Sequence, residues 1–184
     1  MQRDRVKWNK KYAEKTPGQR VPGIIRDHIH LAPKGRALDI ACGSGAVSLY
    51  LAGKGFVVDA LDISDVALTA LSKQHPRIHT ICADLDTFDL AVDRYHLVAN
   101  IRYLNRRLFP RILNALLPGG MLIFETFLKS DKKEMDNGFK REYLLDEKEL
   151  LHVFAPLEIL YYRETDSGCD ETPARLASLV GKKP

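Results

Sequence analysis

Little in this chain offers redox, metal or membrane chemistry. Its three cysteines, Cys42, Cys82 and Cys169, are scattered over 184 residues. They form no Cys-x-x-Cys pair and no metal-ligand spacing, which argues against a disulfide framework or a zinc site. Cys42 lies in a glycine turn and Cys82 in an apolar run, so both read as small buried hydrophobes. The six histidines show no paired spacing, and His28 and His30 read as surface or helix residues; no metal site is expected. No apolar run approaches the ~20 residues of a membrane span. Residues 1–15 are charged throughout and lack the apolar stretch of a signal peptide, so the expected compartment is the cytoplasm. No Ser/His/Asp set is placed for nucleophilic catalysis. No repeat, low-complexity tract or Pro/Gly/Ser-rich linker divides the sequence.

What is present is an ordinary globular composition, 45% apolar and 28% charged, in a chain long enough for one domain with a substantial core. The net charge of +4 is uneven: residues 1–35 hold nine Lys/Arg against three Asp/Glu, and the rest hold nineteen against twenty-one. The chain divides into a basic N-terminal segment, 1–34, and a domain over 35–184. A basic arm attracts anionic substrates or nucleic acid. Only Trp8 and Tyr12 supply aromatic rings there, short of the interleaving that stacks single-stranded bases. A solvated tail and a dock both stay open for this segment.

Strand-like and helix-like segments alternate. Residues 36–42 read as a buried strand, 46–52 as a helix stopped by Gly53-Lys54-Gly55, and 56–63 as a second strand. Ser64 reads as a helix N-cap with Asp65 in the first turn, and that helix runs to about Gln74, before Pro76. Residues 78–85 and 95–101 are further strands. Residues 103–117 form an amphipathic helix ended by Pro118-Gly119-Gly120, and 121–127 a fifth strand. A charged loop, 129–142, leads to a helix near 146–154 that Asp146 caps. Residues 157–165 and 175–180 are two late strands joined by a polar turn, 166–173. The alternation predicts a doubly wound α/β fold, with helices on both faces of a mostly parallel sheet. The closeness of the last two strands predicts a C-terminal antiparallel hairpin.

The chemistry gathers at strand ends, where ligands bind in such sheets. The run Ala37-Leu38-Asp39-Ile40-Ala41-Cys42-Gly43-Ser44-Gly45-Ala46 puts an acid at the end of an apolar strand, before a Gly-x-Gly turn that opens a helix. The glycines allow a tight turn and close approach of a ligand to the backbone. A dinucleotide would bring its pyrophosphate to this helix N-terminus. Asp39, four residues before Gly43, sets a like charge beside it and suits instead a cation, such as the ammonium of a methionine-like group. The third glycine of the dinucleotide fingerprint is also missing, with Ser48 in its place. Asp62 ends the second strand, where a carboxylate accepts both hydroxyls of a ribose. Asp84 ends the third, placed to accept from an adenine amino group with Leu85 packed on the ring. Asn100, Arg102 and Tyr103 follow the fourth. One acid at a strand end is commonly a turn or cap residue; three on successive strands, together with the glycine turn, form a much stronger signal.

These residues resemble the motifs of the class I S-adenosylmethionine (SAM) methyltransferases, whose turn is written acid-x-Gly/Ala-x-Gly-x-Gly. The resemblance covers roughly residues 35–127 and, more loosely, the whole chain. It implies a Rossmann-like sheet of seven strands and SAM as the cofactor. Asp39, Ala41, Gly43 and Gly45 would surround the methionine moiety, Asp62 and Ile63 would meet ribose and adenine, Asp84 and Leu85 the adenine edge, and Asn100 the sulfonium. Pro118-Gly119-Gly120 is similar to the turn before the family's fifth strand. The small size and Phe124-Glu125-Thr126-Phe127 resemble the tellurite-resistance and thiopurine-type branch, in which an N-terminal helical segment covers the cofactor; Trp8, Asn9 and Tyr12 would then join the cofactor site.

Methyl transfer from a sulfonium is an in-line displacement, and alignment alone can supply roughly 7–11 kcal/mol of its barrier. The lack of a catalytic triad fits this. The expected catalytic residues are Glu125, Tyr103 and Arg102. Arg102 and Arg106, four apart on one helix, are placed to clamp an anionic acceptor, although a solvated face continued by Arg107 and Arg111 accounts for them as well. Tyr143 and the loop 129–142 are lid candidates. The chain has little room for a separate substrate-recognition domain, so a small-molecule acceptor is expected, a soft oxyanion, thiol or carboxylate compound if the branch holds; a monomer or homodimer with no membrane partner is expected. The Asn/Asp-Pro-Pro-Tyr pattern of nucleobase and glutamine methylases is absent. A nucleic-acid methyltransferase docked by the basic arm and a SAM-binding module without catalysis stay open as alternatives. A nicotinamide-dependent oxidoreductase is opposed by Asp39 and Ser48.

Overall fold

Strand and helix alternate through residues 36–127 as the apolar runs dictate. The computed structural model describes residues 2–14, 20–130, 140–166 and 174–184. Two helices come first, Gln2–Glu14 (α1) and Gly23–His28 (α2). Arg36–Ile40 (β1), Ala46–Gly53 (α3), Val57–Asp62 (β2), Asp65–Leu71 (α4) and Ile78–Cys82 (β3) follow. Then come Tyr95–Ile101 (β4), Leu108–Ala115 (α5), Leu116–Phe127 (β5), Glu149–Val153 (α6), Glu158–Thr165 (β6) and Leu176–Lys182 (β7).

The strands form one seven-stranded sheet in the order β3-β2-β1-β4-β5-β7-β6. Strands β1 to β5 pair in parallel, and β7 runs antiparallel between β5 and β6. The predicted hairpin is therefore present, with its second strand inserted against β5. One face of the sheet buries Ile25, Leu51 and Leu71 from α2, α3 and α4; the other buries Ile112, Leu150 and Phe154 from and beside α5 and α6. The strand order reverses between β1 and β4, where Ile40 pairs with Asn100. A ligand crevice opens at such a switch point. At the opposite end of the strands, buried Asp59 accepts from Arg36 Nε at 2.8 Å and from the Tyr95 hydroxyl at 3.0 Å.

Several local expectations need correction. The helix after β4 starts at Leu108, not at 103. Arg102 takes a left-handed backbone (φ 58°), and the Asn105 side chain accepts from the Arg107 N–H at 3.1 Å, so the first helical turn waits for Asn105. That separates Arg102 from Arg106, which do not share a helix. Strand β5 already starts at Leu116, and Pro118-Gly119-Gly120 lies inside it as an irregularity. Its pairing with β4 jumps there from Tyr95–Leu116 to Leu97–Met121, with Gly119 at φ 77°. Strand β3 stops at Cys82, because the Asp84 carboxylate takes the Asp86 N–H at 3.0 Å and turns the chain. The helix capped by Ser64 ends at Leu71.

Asp146 does not cap α6. Its carboxylate pairs with Lys129 Nζ, and the Glu149 carboxylate instead accepts the Asp146 N–H at 2.8 Å. Cys82 is exposed rather than buried, with the Arg5 guanidinium 3.7 Å from its sulfur, and Cys42 is half-buried. Cys169, most of the turn 166–173 and most of the loop 129–142 lie outside the described residues. Among the described residues no helix is long and apolar enough to cross a membrane.

Candidate active site

The turn after β1 is built by backbone chemistry that few side chains tolerate. Ala41, Gly43 and Gly45 have φ of 53°, 54° and 84°. The left-handed region costs an L side chain roughly 1–2 kcal/mol. Gly45 also needs its missing Cβ, since one would lie 2.3 Å from the Leu71 side chain. The turn is tied to the next strand: the Cys42 N–H donates to the Leu61 carbonyl at 3.0 Å and the Gly43 N–H to Asp62 Oδ2 at 2.8 Å. The other Asp62 oxygen accepts the Ser64 N–H at 2.8 Å. Asp62 therefore organises both the glycine turn and the start of α4, while Ser64 Oγ caps that helix by accepting from the Ala67 N–H at 3.2 Å. Each Asp62 oxygen keeps lone-pair capacity for a hydroxyl donor. Burial holds its carboxyl above the ordinary range, against the pull of its backbone donors.

Asp39 is buried at the end of β1 and accepts from Ser48 Oγ at 2.6 Å. Burial pushes its carboxyl up to about 7, with the nearby Asp62 adding to the rise. Ser48, the residue that replaces the third glycine of the dinucleotide fingerprint, is thus the partner of the cation-seeking acid. The Ser48 hydroxyl was not foreseen as a site group; its four-residue offset from Ser44 and the absence of glycine were the available signals.

Beyond β3, Asp84 forms its turn with Asp86, and Leu85 is buried beneath it. Buried Asn100 donates through Nδ2 to the Tyr103 carbonyl at 2.7 Å. Tyr103 is pushed up to about 12 by burial, and the charges of Asp86, Asp84 and Asp62 add to the rise. Tyr103 does not line the cavity described below. Arg102 and Glu125 lie 3.2 Å apart, with the Arg102 N–H donating to the Glu125 carbonyl at 2.7 Å. The second Glu125 oxygen accepts from Ser178 Oγ of β7 at 2.7 Å. Glu125 is held by an arginine on one side and a serine on the other. The three expected catalytic residues thus separate into one pair and one outlier.

A cavity of about 330 Å³ joins the two halves: Asp39, Cys42 and Ser44 line one end and Arg102 and Glu125 the other, with Arg20 and Arg26 along the wall. Sequence alone did not bring Arg20 and Arg26 here, since nothing local shows that the stretch around α2 folds over the switch point. Arg106 is elsewhere. It forks onto both Glu149 oxygens at 2.6 and 2.8 Å and donates to the carbonyls of Glu142 and Leu144. Arg107 and Arg111 both bind Asp89, so neither an acceptor clamp nor a freely solvated face describes this row.

Helix α1 lies on α4. The Asn9 amide donates to Asp65 and its carbonyl oxygen accepts from Ser64, both at 2.8 Å. Tyr12 reaches the glycine turn, where burial first, then Asp62 and Cys42, hold its hydroxyl protonated far above the ordinary range. Trp8 stacks on Tyr12 at 6.0 Å between ring centroids, with Lys11 Nζ 4.5 Å from its ring. Ile63 is half-buried, and its carbonyl accepts from the Cys82 thiol at 3.7 Å. Tyr143 is exposed and remote from any described contact with the cavity lining. His28 packs against Tyr161 with the rings tilted by 46° and 4.6 Å between centroids, and among the described residues no cluster of three His, Cys, Asp or Glu could hold a metal.

Comparison with known proteins matches this layout. Residues 37–120 fit the family described as "Methyltransferase domain". Malonyl-[acyl-carrier protein] O-methyltransferase of Enterobacter lignolyticus is 28% identical over 130 residues, 68% of this chain and 51% of that protein. Ubiquinone biosynthesis O-methyltransferase of Coxiella burnetii is 27% identical over 131 residues, 66% of this chain and 56% of that one. The chain thus spans about half the length of the curated relatives it matches. TehB from Haemophilus influenzae shares the fold with a TM-score of 0.75 at 19% identity, over 96% of this chain and 67% of that one. The 1,6-didemethyltoxoflavin-N1-methyltransferase of Burkholderia thailandensis, solved with S-adenosylhomocysteine, superposes with a TM-score of 0.70 at 14% identity, over 97% and 86%. The glycine turn and the acids at or just past the ends of three successive strands all fall within residues 37–120, the stretch that is similar to the methyltransferase-domain family.

Proposed function

We propose that this chain methylates a small molecule held in the cavity between Asp39 and the Arg102–Glu125 pair. The observation that carries this is the continuity of that cavity, which runs from the glycine turn to an ion pair at the ends of β4 and β5. When bound, SAM supplies an electrophilic sulfonium methyl, whose transfer depends on alignment rather than on acid chemistry. The chain's own groups fit that cofactor. Asp39 is a buried carboxyl with a single described side-chain partner, Ser48, and a cationic ammonium beside it would favour its ionised form. Asp62 keeps acceptor capacity for ribose hydroxyls, and Asp84 offers an acid to the adenine edge, with Leu85 buried in the core next to it. Asn100, fixed through Tyr103, stands at the switch point between them. Glu125, held from both sides, is suited to orienting an acceptor rather than to taking its proton.

Residues 1–34 would act as a cover, since Tyr12 already sits over the turn and Asn9 fastens α1 to α4. That docking leaves the basic arm less suited to gripping nucleic acid. The acceptor belongs to the soft oxyanion, thiol or carboxylate compounds of the tellurite-resistance-type branch, and the working compartment is the cytoplasm. Calorimetric titration of SAM and S-adenosylhomocysteine tests the cofactor site. Micromolar binding to wild type, weakened at least about tenfold in Asp62→Ala, is expected. Absence of binding to wild type would overturn the proposal.

A further inference from the structure

Few groups hold Asp39 where it lies. Its register partners in β2 and β4 are Ala60 and Ala99, which bring no polar side-chain atom. Among the described residues, Ser48 alone hydrogen-bonds to its carboxyl through a side chain, with Oγ at 2.6 Å. Ser48 is the third residue of α3 and is fully buried. The titratable and charged groups around Asp39 are Asp62 at the end of β2, the Cys42 thiol in the turn and Tyr12 over it. Arg20, Arg26, Arg102 and Glu125 share the cavity lining with it. Burial and Asp62 oppose a charge on Asp39, whereas the hydroxyl and backbone N–H of Ser48 favour one.

A hydroxyl can serve both forms of a carboxyl. It donates to the ionised acid and, turned about its C–O bond, accepts from the protonated one. Neither oxygen has to move, so Asp39 can change charge without leaving a buried polar group unpaired. We infer that Ser48 is a positioning residue for the amino-acid end of the cofactor: its hydroxyl holds Asp39 at the cavity, as acceptor from the neutral acid and as donor to the ionised acid that meets an ammonium. This rests on the methyltransferase function proposed above. Asp39 lines the cavity, and each carboxylate oxygen accepts twice, so the acid keeps a lone pair for the ammonium while it is bound to Ser48. Where the empty site holds Asp39 neutral, cofactor entry sends its proton to solvent and the ammonium takes over the charge. Ser48 sets how readily that exchange occurs.

The test titrates the full chain with S-adenosylhomocysteine and with methylthioadenosine, which keeps the adenosine and the thioether but has no ammonium or carboxylate. In wild type, S-adenosylhomocysteine affinity should rise with pH and level near 7, while methylthioadenosine affinity stays within about twofold. Ser48→Ala should move the levelling point up by about one pH unit. It should therefore weaken S-adenosylhomocysteine about tenfold at about pH 6 but only about twofold at about pH 8, with methylthioadenosine unchanged within about twofold. Ser48→Cys, with a weaker donor in the same place, should shift the same way by less, and it carries the test if Ser48→Ala does not fold. A levelling point moved by neither variant would overturn the inference, as would a flat wild-type curve. So would equal weakening of both ligands at every pH, because Ser48 would then support the turn rather than the charge of Asp39. A wild type that binds neither ligand would instead overturn the underlying methyltransferase proposal.

Discussion

The Tyr12 hydroxyl occupies the space that a Cβ on Gly43 would need: a Cβ built there lies 2.4 Å from the tyrosine oxygen. Glycine at this position thus serves the contact with α1 as well as the left-handed turn. Gly43→Ala should lift Tyr12, and with it the end of α1, off the turn. Trp8 is the sole tryptophan and stacks on Tyr12, so its fluorescence reports the change. A red-shifted emission with greater acrylamide quenching is expected; an unchanged spectrum would mean that the turn, not the helix, gives way.

Asp39 links the site to pH. Its folded carboxyl titrates near 7, and an unfolded aspartate near 4. Between those values the folded protein holds the extra proton, so stability falls as pH rises through the window, by up to about 4 kcal/mol. Asp62, also raised, adds in the same direction. Urea unfolding of the ligand-free protein at about pH 4 and about pH 8 should show this loss, and Asp39→Asn should flatten it. SAM binding should run the other way. Affinity rises with pH up to about 7 and then levels, because the ammonium prefers the ionised acid.

Ser178→Ala removes one of the two groups that fix Glu125. Hydrogen bonds to charged groups contribute roughly 1.5–3 kcal/mol. SAM affinity should stay within about twofold, while methyl transfer to an acceptor found by screening small molecules, followed as S-adenosylhomocysteine release, should fall about tenfold in kcat/KM. A drop in SAM affinity instead would place Ser178 on the cofactor side.

Asp59 provides a control at the far end of the strands. Asp59→Ala leaves Arg36 and the buried Tyr95 hydroxyl without their acceptor. Chemical denaturation should show a loss of about 2–4 kcal/mol. Cofactor affinity, measured well below the denaturation midpoint, should not change.

The strand ends were legible because their signals are local. The apolar runs place β1, β2 and β4 within a residue or two of their observed limits, and Asp39 and Asp62 need only those limits to be aligned, whereas β3 stops short and leaves Asp84 in the turn after it. Ser64 was legible as a cap for the same reason. The start of α5 was not, since the left-handed Arg102 and the Asn105 turn interrupt an amphipathic pattern that continues through them. Arg106 looked like a ligand group because its partner, Glu149, lies 43 residues away. Ser178 and Glu125 meet only through the pairing of β7 with β5, and Arg20 and Arg26 only because their segment folds over the switch point.

The insertion of β7 between β5 and β6 divides the crevice into parts with different dependence on chain length. The turn, Asp62 and Asn100 come from one contiguous stretch, and the link from Gly43 to Asp62 spans 19 residues. The Ser178–Glu125 link spans 53, so it closes a longer loop and bears a larger entropic penalty. A fluctuation that frees β7 would loosen the Ser178–Glu125–Arg102 chain and leave the cofactor half standing. Occupancy by cofactor and competence for transfer are thus separable states of the same domain.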